Sequence, residues 1–491
     1  MSFARSSSVK LFTNRAKDYI SDDFVIVNED EKIEEALNKI QTQKKSAILV
    51  VNKKKLSGII TEQDIVRRVL NQNYTNKIVK DYMTSPVEYI YDYDLLFHAI
   101  GIMRKNKLRH LPVVNMNEEV IGILNLHVAL SVELNFHIES IDELTSEVDR
   151  NGIISLKDKQ KNLAEKLIND NVSSFDVSYV LSFLNLVIYR RAIRIAISET
   201  NQRNIIETVP DFCVLIMGSG GRMESYIRPD QDNGIIYDLE TDDQNLIKKT
   251  DEYFLEVSKI FTKILDDADI PFCEGDLMAS NPLWRKSLTG WKTQIDEWVQ
   301  SANDNNLRYM DMLYDFQPVY GNSNLAKDLR TFLMDRLYKT PHFLKYLYKR
   351  DEGTNAAIGF FGQFILEKED KENLGLLNLK HTGTLPLVES IRMYSIKHKV
   401  DQPSTLERLS ELTNKGVFRK DEYDFFKNAY EFLAELLIKN QIKSFKKNNK
   451  ISNFIDPKKL TQREKTVLKI YLKKIKELKT RLKADFGEEY V

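Results

Sequence analysis

A near-repetition in the first third of the chain limits its fold more than any other feature. The segment KKSAILVVNKKKLSGIITEQDIVRRVL, Lys44 to Leu70, returns in altered form as KLRHLPVVNMNEEVIGILNLHVALSVE, Lys107 to Glu133. Gly58 and Gly122 stand at equivalent places, 64 residues apart. Each unit reads as an amphipathic helix (Ile33 to Ile40, then Leu95 to Met103), an apolar strand, a polar turn, a second strand and another helix. One such unit cannot bury both faces of its small sheet, so two are expected to pack together.

The 491 residues exceed what one core can hold, and the length suggests about three domains. Hydrophobic content of 42% against 29% charged residues reads as ordinary soluble globular protein. Lys+Arg and Asp+Glu are both 72, so the basic excess of a general nucleic-acid binder is missing. No apolar run reaches the roughly 18 residues of a membrane span. The basic, serine-rich start has no apolar h-region, so it reads as a lead-in and not a secretory signal. Cys213 and Cys273 show no metal spacing and read as buried thiols in a reducing compartment, which makes the cytoplasm the expected location.

Five segments follow: a lead-in (1–19), the paired repeat (20–137), a helical connector (138–205), an α/β domain (206–325) and a C-terminal helical bundle (326–491). In the connector an apolar stripe runs Leu181, Leu184, Leu186, Ile188, Ala192, Ile195, with Ser173 or Ser174 as its cap. From Pro210 the pattern changes. FCVLIMG and GIIYDL read as buried strands separated by glycines and a helix start. The last helix carries a capping box, Thr461 with Glu464, and an apolar stripe from Leu468 to Leu482 against a Lys-rich face. That face reads as solvated, with an acidic partner or RNA as the alternative.

The chemistry concentrates in GSGGRMESYIRPDQDNGIIYD, Gly218 to Asp238. It is neither a Rossmann fingerprint nor a Walker A loop, since Met223 stands in place of the last glycine and Gly-Lys-Ser/Thr is absent. Glycines at a strand end let backbone N–H groups approach a polyphosphate, a helix start adds positive potential, and Ser219 can donate its hydroxyl. Asp230 and Asp232 would share one face of the next strand, with Gln231 pointing the other way. Paired carboxylates are what Mg²⁺ (or Mn²⁺) needs while bridging triphosphate oxygens.

The paired repeat resembles a tandem pair of cystathionine-beta-synthase (CBS) domains, with DYMTSPV (Asp81 to Val87) like the usual start of a second unit. That resemblance implies adenine-nucleotide binding through Thr61 and Asp64; Asn125 and Val128 stand at those places in the second unit, which lacks the carboxylate. The later segment resembles the nucleotidyltransferase superfamily that includes DNA polymerase beta. It looks most like signal-transduction nucleotidyltransferases related to PII uridylyltransferase, which carry CBS domains ahead of the transferase. The similarity continues through MASNPLWRKSLTGW, YDFQPVYG, GFFGQF and LNLKHTGTLPLVESIRMYSIKH.

The implied fold is α+β multidomain: CBS pair, helical connector, polymerase-beta-like α/β domain and helical substrate-binding-like domain. By the resemblance Gly218 and Ser219 would cradle phosphate, and Arg222 and Glu224 would shape the helix start, with Arg222 reaching toward the triphosphate. Asp230 and Asp232 would hold metal. A third carboxylate would come from a later strand, with Glu274 and Asp276 as candidates and Asp315 as an outsider; a plain polar loop is the alternative for the pair. Lys380 and Arg392 are either phosphate contacts or ordinary ion-pair residues. The implied activity moves a nucleoside monophosphate from an NTP to a hydroxyl on a protein, under adenine-nucleotide control, in a homodimer. The alternative is a non-catalytic nucleotide sensor with a degenerate transferase domain.

Overall fold

The computed structural model describes residues 14–69, 77–126, 129, 149–351, 355–447 and 450–487. They belong to two compact units, Met1–Glu147 and Val148–Val491. Most of the expected lead-in, and Val128 of the second repeat, lie outside the described residues.

The first unit holds two three-stranded sheets of the same design. Strand β1 (Phe24–Asn28), helix α1 (Ile33–Gln43), β2 (Ala47–Asn52) and β3 (Lys55–Thr61) make the first; β4 (Ile90–Tyr91), α2 (Leu96–Lys105), β5 (His110–Val114) and β6 (Val120–Asn125) make the second. In each, the first two strands run parallel and the last two antiparallel. Both antiparallel pairs slip register at the same place, at Val50/Val51 and at Val113/Val114. Gly58 lies opposite Val50 and Gly122 opposite Val113.

The repeat glycines have a shared reason. A Cβ on Gly58 would come 2.4 Å from Met83 Sδ, and one on Gly122 would come 2.7 Å from Ile20 Cβ. Ile20 leads into the first repeat and Met83 into the second, so each lead-in crosses the other repeat's sheet. The backbone bridges Ser21–Ile123 and Ile59–Thr84 fix both crossings. This reciprocal strapping is how two sheets, each too small alone, close one core.

The second unit begins with α3 (Arg150–Asn169) and α4 (Ser174–Asn201), whose cap is Ser173. Helix α4 is buried over most of its circumference, as expected of a helix packed on several sides. A four-stranded sheet follows, built from β7 (Phe212–Ile216), β8 (Asn233–Tyr237), β9 (Arg285–Ser287) and β10 (Gln317–Gly321) in the order β10-β7-β8-β9. Helices α5 (Gln244–Asp267), α6 (Leu288–Gln300) and α7 (Asp304–Tyr314) connect these strands. Trp284, Trp291 and Trp298 pack together beside β9, with Trp291 Nε1 donating to the Ile235 carbonyl at 2.9 Å.

The remaining helices are α8 (Ser323–Lys339), α9 (Pro341–Asp351), α10 (Leu385–Lys397), α11 (Thr405–Asn414), α12 (Lys420–Lys446) and α13 (Gln462–Gly487). A two-stranded pair, β11 (Leu377–Asn378) with β12 (Phe454–Ile455), interrupts them. The Thr461–Glu464 capping box forms, and Leu468, Leu472, Ile475, Leu478 and Leu482 are all buried.

The two repeat glycines should respond unequally to substitution. Gly122→Ala should destabilise the chain by about 1–3 kcal/mol, because the contact is with the Ile20 Cβ, which moves only with its backbone. Gly58→Ala should cost less, since the Met83 thioether can swing aside. Thermal unfolding of the two variants followed by circular dichroism checks the ranking.

Candidate active site

The register of one strand pair brings glycines and aspartates together. Ile216, the last residue of β7, pairs with Asn233, the first of β8. The residues just beyond these ends therefore meet, and Met217 N–H donates to the Asp232 carbonyl at 2.9 Å. Gly218 sits beside the Asp232 side chain with φ +59, where a Cβ would lie 2.9 Å from Asp232 Oδ2. A side chain there would fill the space over the carboxylate and strain the backbone. The helix expected after the glycines is a single turn, Gly218–Gly221, and Met223 leaves it with φ 58. Ser219 is half-buried on that turn, and its carbonyl accepts from Glu224 N–H at 2.9 Å.

Asp230 and Asp232 stand just before β8 and not on it, since the strand begins at Asn233. The alternation itself holds. Gln231 is fully buried and donates to the Thr262 and Ile270 carbonyls at 2.9 and 2.7 Å, while the two aspartates reach the other side. Arg228 pairs with Asp269 at 2.8 Å, and Asp269 pairs with Lys161 of α3 at 3.0 Å, which pins the segment from behind. Asp230 is exposed; Asp232 is half-buried. Burial pushes the Asp232 carboxyl up to about 6, with Asp230 adding and a hydrogen bond from Cys273 and the charge of Lys380 opposing. Cys273, expected buried, is half-buried beside it.

A lysine reaches this pair from the helical region. Lys380 Nζ lies 3.8 Å from Asp230 Oδ2, carried on the wound turn Lys380–Thr384 that opens α10. Burial and Lys380 lower the pKa of the neighbouring His381, while Asp230 opposes. The sequence offered Lys380 only as one of two options; its partner could not be read, because 150 residues separate the two. His381 carried no signal in the sequence.

The other candidate residues go elsewhere. Arg222 is sealed away from the aspartates' open side, donating to Glu224 Oε2 at 2.8 Å and to Asp315 Oδ2 at 2.7 Å. Glu224 accepts from Thr405 N–H and hydroxyl. Glu274 and Asp276 lie exposed on a tight turn rather than a strand, and Asp276 accepts from Asn281 Nδ2 at 2.7 Å. Among the described residues, no set of three or more His, Cys, Asp or Glu is gathered as a metal cluster. Asp315 is fully buried, with Arg408 at 2.7 Å and Arg392 at 3.8 Å besides Arg222. A Cβ on Gly221 would lie 1.9 Å from the Asp315 carbonyl, so that glycine serves packing. In the CBS pair, Thr61 and Asp64 bond each other: Thr61 Oγ1 donates to Asp64 Oδ2 at 2.7 Å.

A separate cleft lies at the far end of β8, away from the aspartates. Its roughly 620 Å³ is lined by Tyr237, Lys286, Ser287 and the start of α6.

Three arginines hold the Asp315 carboxyl well below the ordinary carboxylate range, overcoming its burial. A depressed folded-state pKa means that the charge stabilises the fold above about pH 4, and that this is lost as pH falls further. Asp315→Asn should therefore cost roughly 3–5 kcal/mol at pH 7, by stranding buried guanidiniums. The gap between variant and parent should narrow below about pH 4; urea melts across pH 3 to 8 would record it.

Models of known families match several stretches of the chain. A CBS domain model matches residues 16–71 and 79–132. A model described as "Putative nucleotidyltransferase DUF294" matches 158–305, and one described as "Putative nucleotidyltransferase substrate binding domain" matches 341–486. Curated relatives cover a smaller part. An uncharacterized 17.7 kDa protein of Acidianus ambivalens is 28% identical over 130 residues, 26% of this chain and 79% of its own. An uncharacterized protein of Methanopyrus kandleri is 34% identical over 90 residues, 18% of this chain and 46% of its own length. The inosine-5'-monophosphate dehydrogenase of Methanocaldococcus jannaschii is 33% identical over 113 residues, 23% of this chain and 22% of its own. Among solved structures, the CBS domain protein NE2398 is 28% identical over 22% of this chain and 85% of its own, with TM-score 0.21. CBSX2 of Arabidopsis thaliana, in a complex with AMP, is 22% identical over 24% and 93%, with TM-score 0.22. No described helix is long and apolar enough to cross a membrane. Along the chain, matches to a tandem CBS pair are thus followed by matches to the two segments described as "Putative nucleotidyltransferase DUF294" and "Putative nucleotidyltransferase substrate binding domain".

Proposed function

We infer that the larger unit is a Mg²⁺-dependent nucleotidyltransferase that moves a nucleoside monophosphate from an NTP to a hydroxyl on a regulatory protein, as PII uridylyltransferase does. The observation that carries this reading is the convergence of Asp230, Asp232 and Lys380 on the positive-φ turn at Gly218. Adjacent carboxylate oxygens, one exposed and one half-buried, suit Mg²⁺ or Mn²⁺ shared with solvent and phosphate. Bound there, the ion would supply Lewis-acid charge to phosphate oxygens. Gly218 leaves the backbone bare beside Asp232, and Ser219 offers a hydroxyl on the same turn. Lys380 can exchange Asp230 for a phosphate oxygen, since the two side chains are only loosely paired and both reach solvent. The acceptor oxygen would bond to the α-phosphorus as the α–β anhydride bond breaks, releasing pyrophosphate and losing the hydroxyl proton to water.

Thr61 and Asp64 would hold phosphate and ribose of an adenine nucleotide, which requires them to leave each other. The CBS pair would then bias the transferase through unequal affinity for two states, in a homodimer. One observation favours the second reading, a nucleotide sensor without turnover: Glu274 and Asp276 sit exposed on a turn and no third carboxylate joins the pair among the described residues.

Labelled ATP or UTP with Mg²⁺ and cell extract separates these readings. Transfer to a protein should fall by about a hundredfold or more in Asp230→Asn/Asp232→Asn. Equal labelling by parent and variant would sink the site, and no labelling by either would favour the sensor. For the CBS pair, calorimetry with AMP should show Asp64→Ala weakening binding by about tenfold or more; unchanged affinity removes Asp64 from the site.

A further inference from the structure

The most exposed large apolar side chains among the described residues are neighbours. Phe360 and Phe361 are 91% and 89% exposed, in the loop between α9 and β11. They stand at the tip of a tight hairpin in which Ile358 pairs with Phe364. Gly359 N–H donates to the Gln363 carbonyl at 2.8 Å, and Gly362 closes the turn with φ 76. Both rings are held in water by a hydrogen-bonded backbone, an arrangement that marks an interaction site.

The hairpin is fastened on two sides. Ala357 N–H donates to the Thr382 carbonyl at 3.0 Å, on the same wound turn that presents Lys380 to Asp230. From α13, Lys476 donates to the Ile358 carbonyl at 3.2 Å and Lys469 lies over the Phe364 ring. Beside it runs a groove of about 490 Å³ lined by Phe364, Lys458, Lys465, Lys469 and Ile470, with no carboxylate in its wall. The nearby acidic turn is occupied with itself, since Glu367 accepts from the N–H groups of Lys368, Glu369 and Asp370.

We propose that this hairpin and groove are the docking surface for the acceptor protein. They take a segment that sets carboxylates on Lys458, Lys465 and Lys469 and an apolar side chain against Phe360 and Phe361. The inference rests on the transferase reading. Charge complementarity fixes the chemistry of the partner: lysines line the groove, and the apolar anchors stand next to them. Single-stranded nucleic acid fits less well. The two rings meet edge to face at 89°, so they do not offer successive parallel faces to neighbouring bases. Docking here places an acceptor hydroxyl near the turn that carries Lys380, which converts transfer into a near-intramolecular step.

The test uses the full chain without nucleotide or divalent cation. A dye-labelled peptide alternating Glu with Leu and Phe, its Gln-for-Glu counterpart, and oligouridine are titrated by fluorescence anisotropy. The acidic peptide should bind about tenfold tighter than the glutamine peptide. Phe360→Ser/Phe361→Ser and Lys458→Glu/Lys469→Glu should each weaken it by about tenfold with the melting curve unchanged, all four side chains being exposed. Equal binding of both peptides, tighter binding of oligouridine, or indifference to both double substitutions overturns the docking surface. A silent transferase assay with peptide binding intact overturns the transferase reading instead.

Discussion

The buried carboxylate of Asp315 is the interaction on which the larger unit depends. It ends α7, touches Arg222 from the glycine turn, Arg392 from α10 and Arg408 from α11, and is fully removed from water. Glu224 shares Arg222 and bonds Thr405, and Asp311 lies 3.4 Å from Arg392. Three carboxylates thus face three guanidiniums drawn from the glycine turn and the helical region. Removing any one would leave a buried charge uncompensated, so sheet and helices are committed to one arrangement. Asp230 and Lys380 meet only because that arrangement is fixed.

The repeat was legible because its cause is local. A glycine at a set place in each second strand, and apolar runs of strand length, report a backbone under a close crossing. The partner of each glycine was not legible. Ile20 and Met83 are ordinary apolar residues whose role comes from reciprocal strapping, which no periodicity encodes. The same holds for the strand order β10-β7-β8-β9, where the last strand inserts at the edge beside β7. The resemblance put Glu274 and Asp276 on a later strand, yet their segment forms turns: Asp276 takes φ 56, and Asp276 N–H bonds the Cys273 carbonyl.

In the site, residue types were readable and their duties were not. Asp230-Gln-Asp232 announces its alternation, and Gln231 turns inward as alternation requires. The resemblance had Arg222 reaching toward the triphosphate; here burial and two carboxylates claim it. Asp315 stood as an outsider for the third carboxylate on the same resemblance, and three arginines claim it instead. Only long-range contacts tell a structural charge from a chemical one, and those contacts span the whole unit.

The two charge clusters differ in how they are closed, and that difference separates scaffold from site. Around Asp315 the charges balance and water is excluded, so a ligand would have to break pairs in order to enter. At Asp230 and Asp232 one lysine, 3.8 Å from Asp230, stands against two carboxylates, the cluster keeps an excess negative charge, and one side is open. The pKa of the Asp232 carboxyl is raised chiefly by burial, with the charge of Asp230 adding to it, so its ionised form is held where compensation is incomplete. A group of opposite charge arriving from solvent would relieve that cost without disturbing the buried network behind it. The fold keeps the uncompensated charge at the surface end of a segment pinned by Gln231 and Arg228, so binding there need not be paid for by unfolding elsewhere.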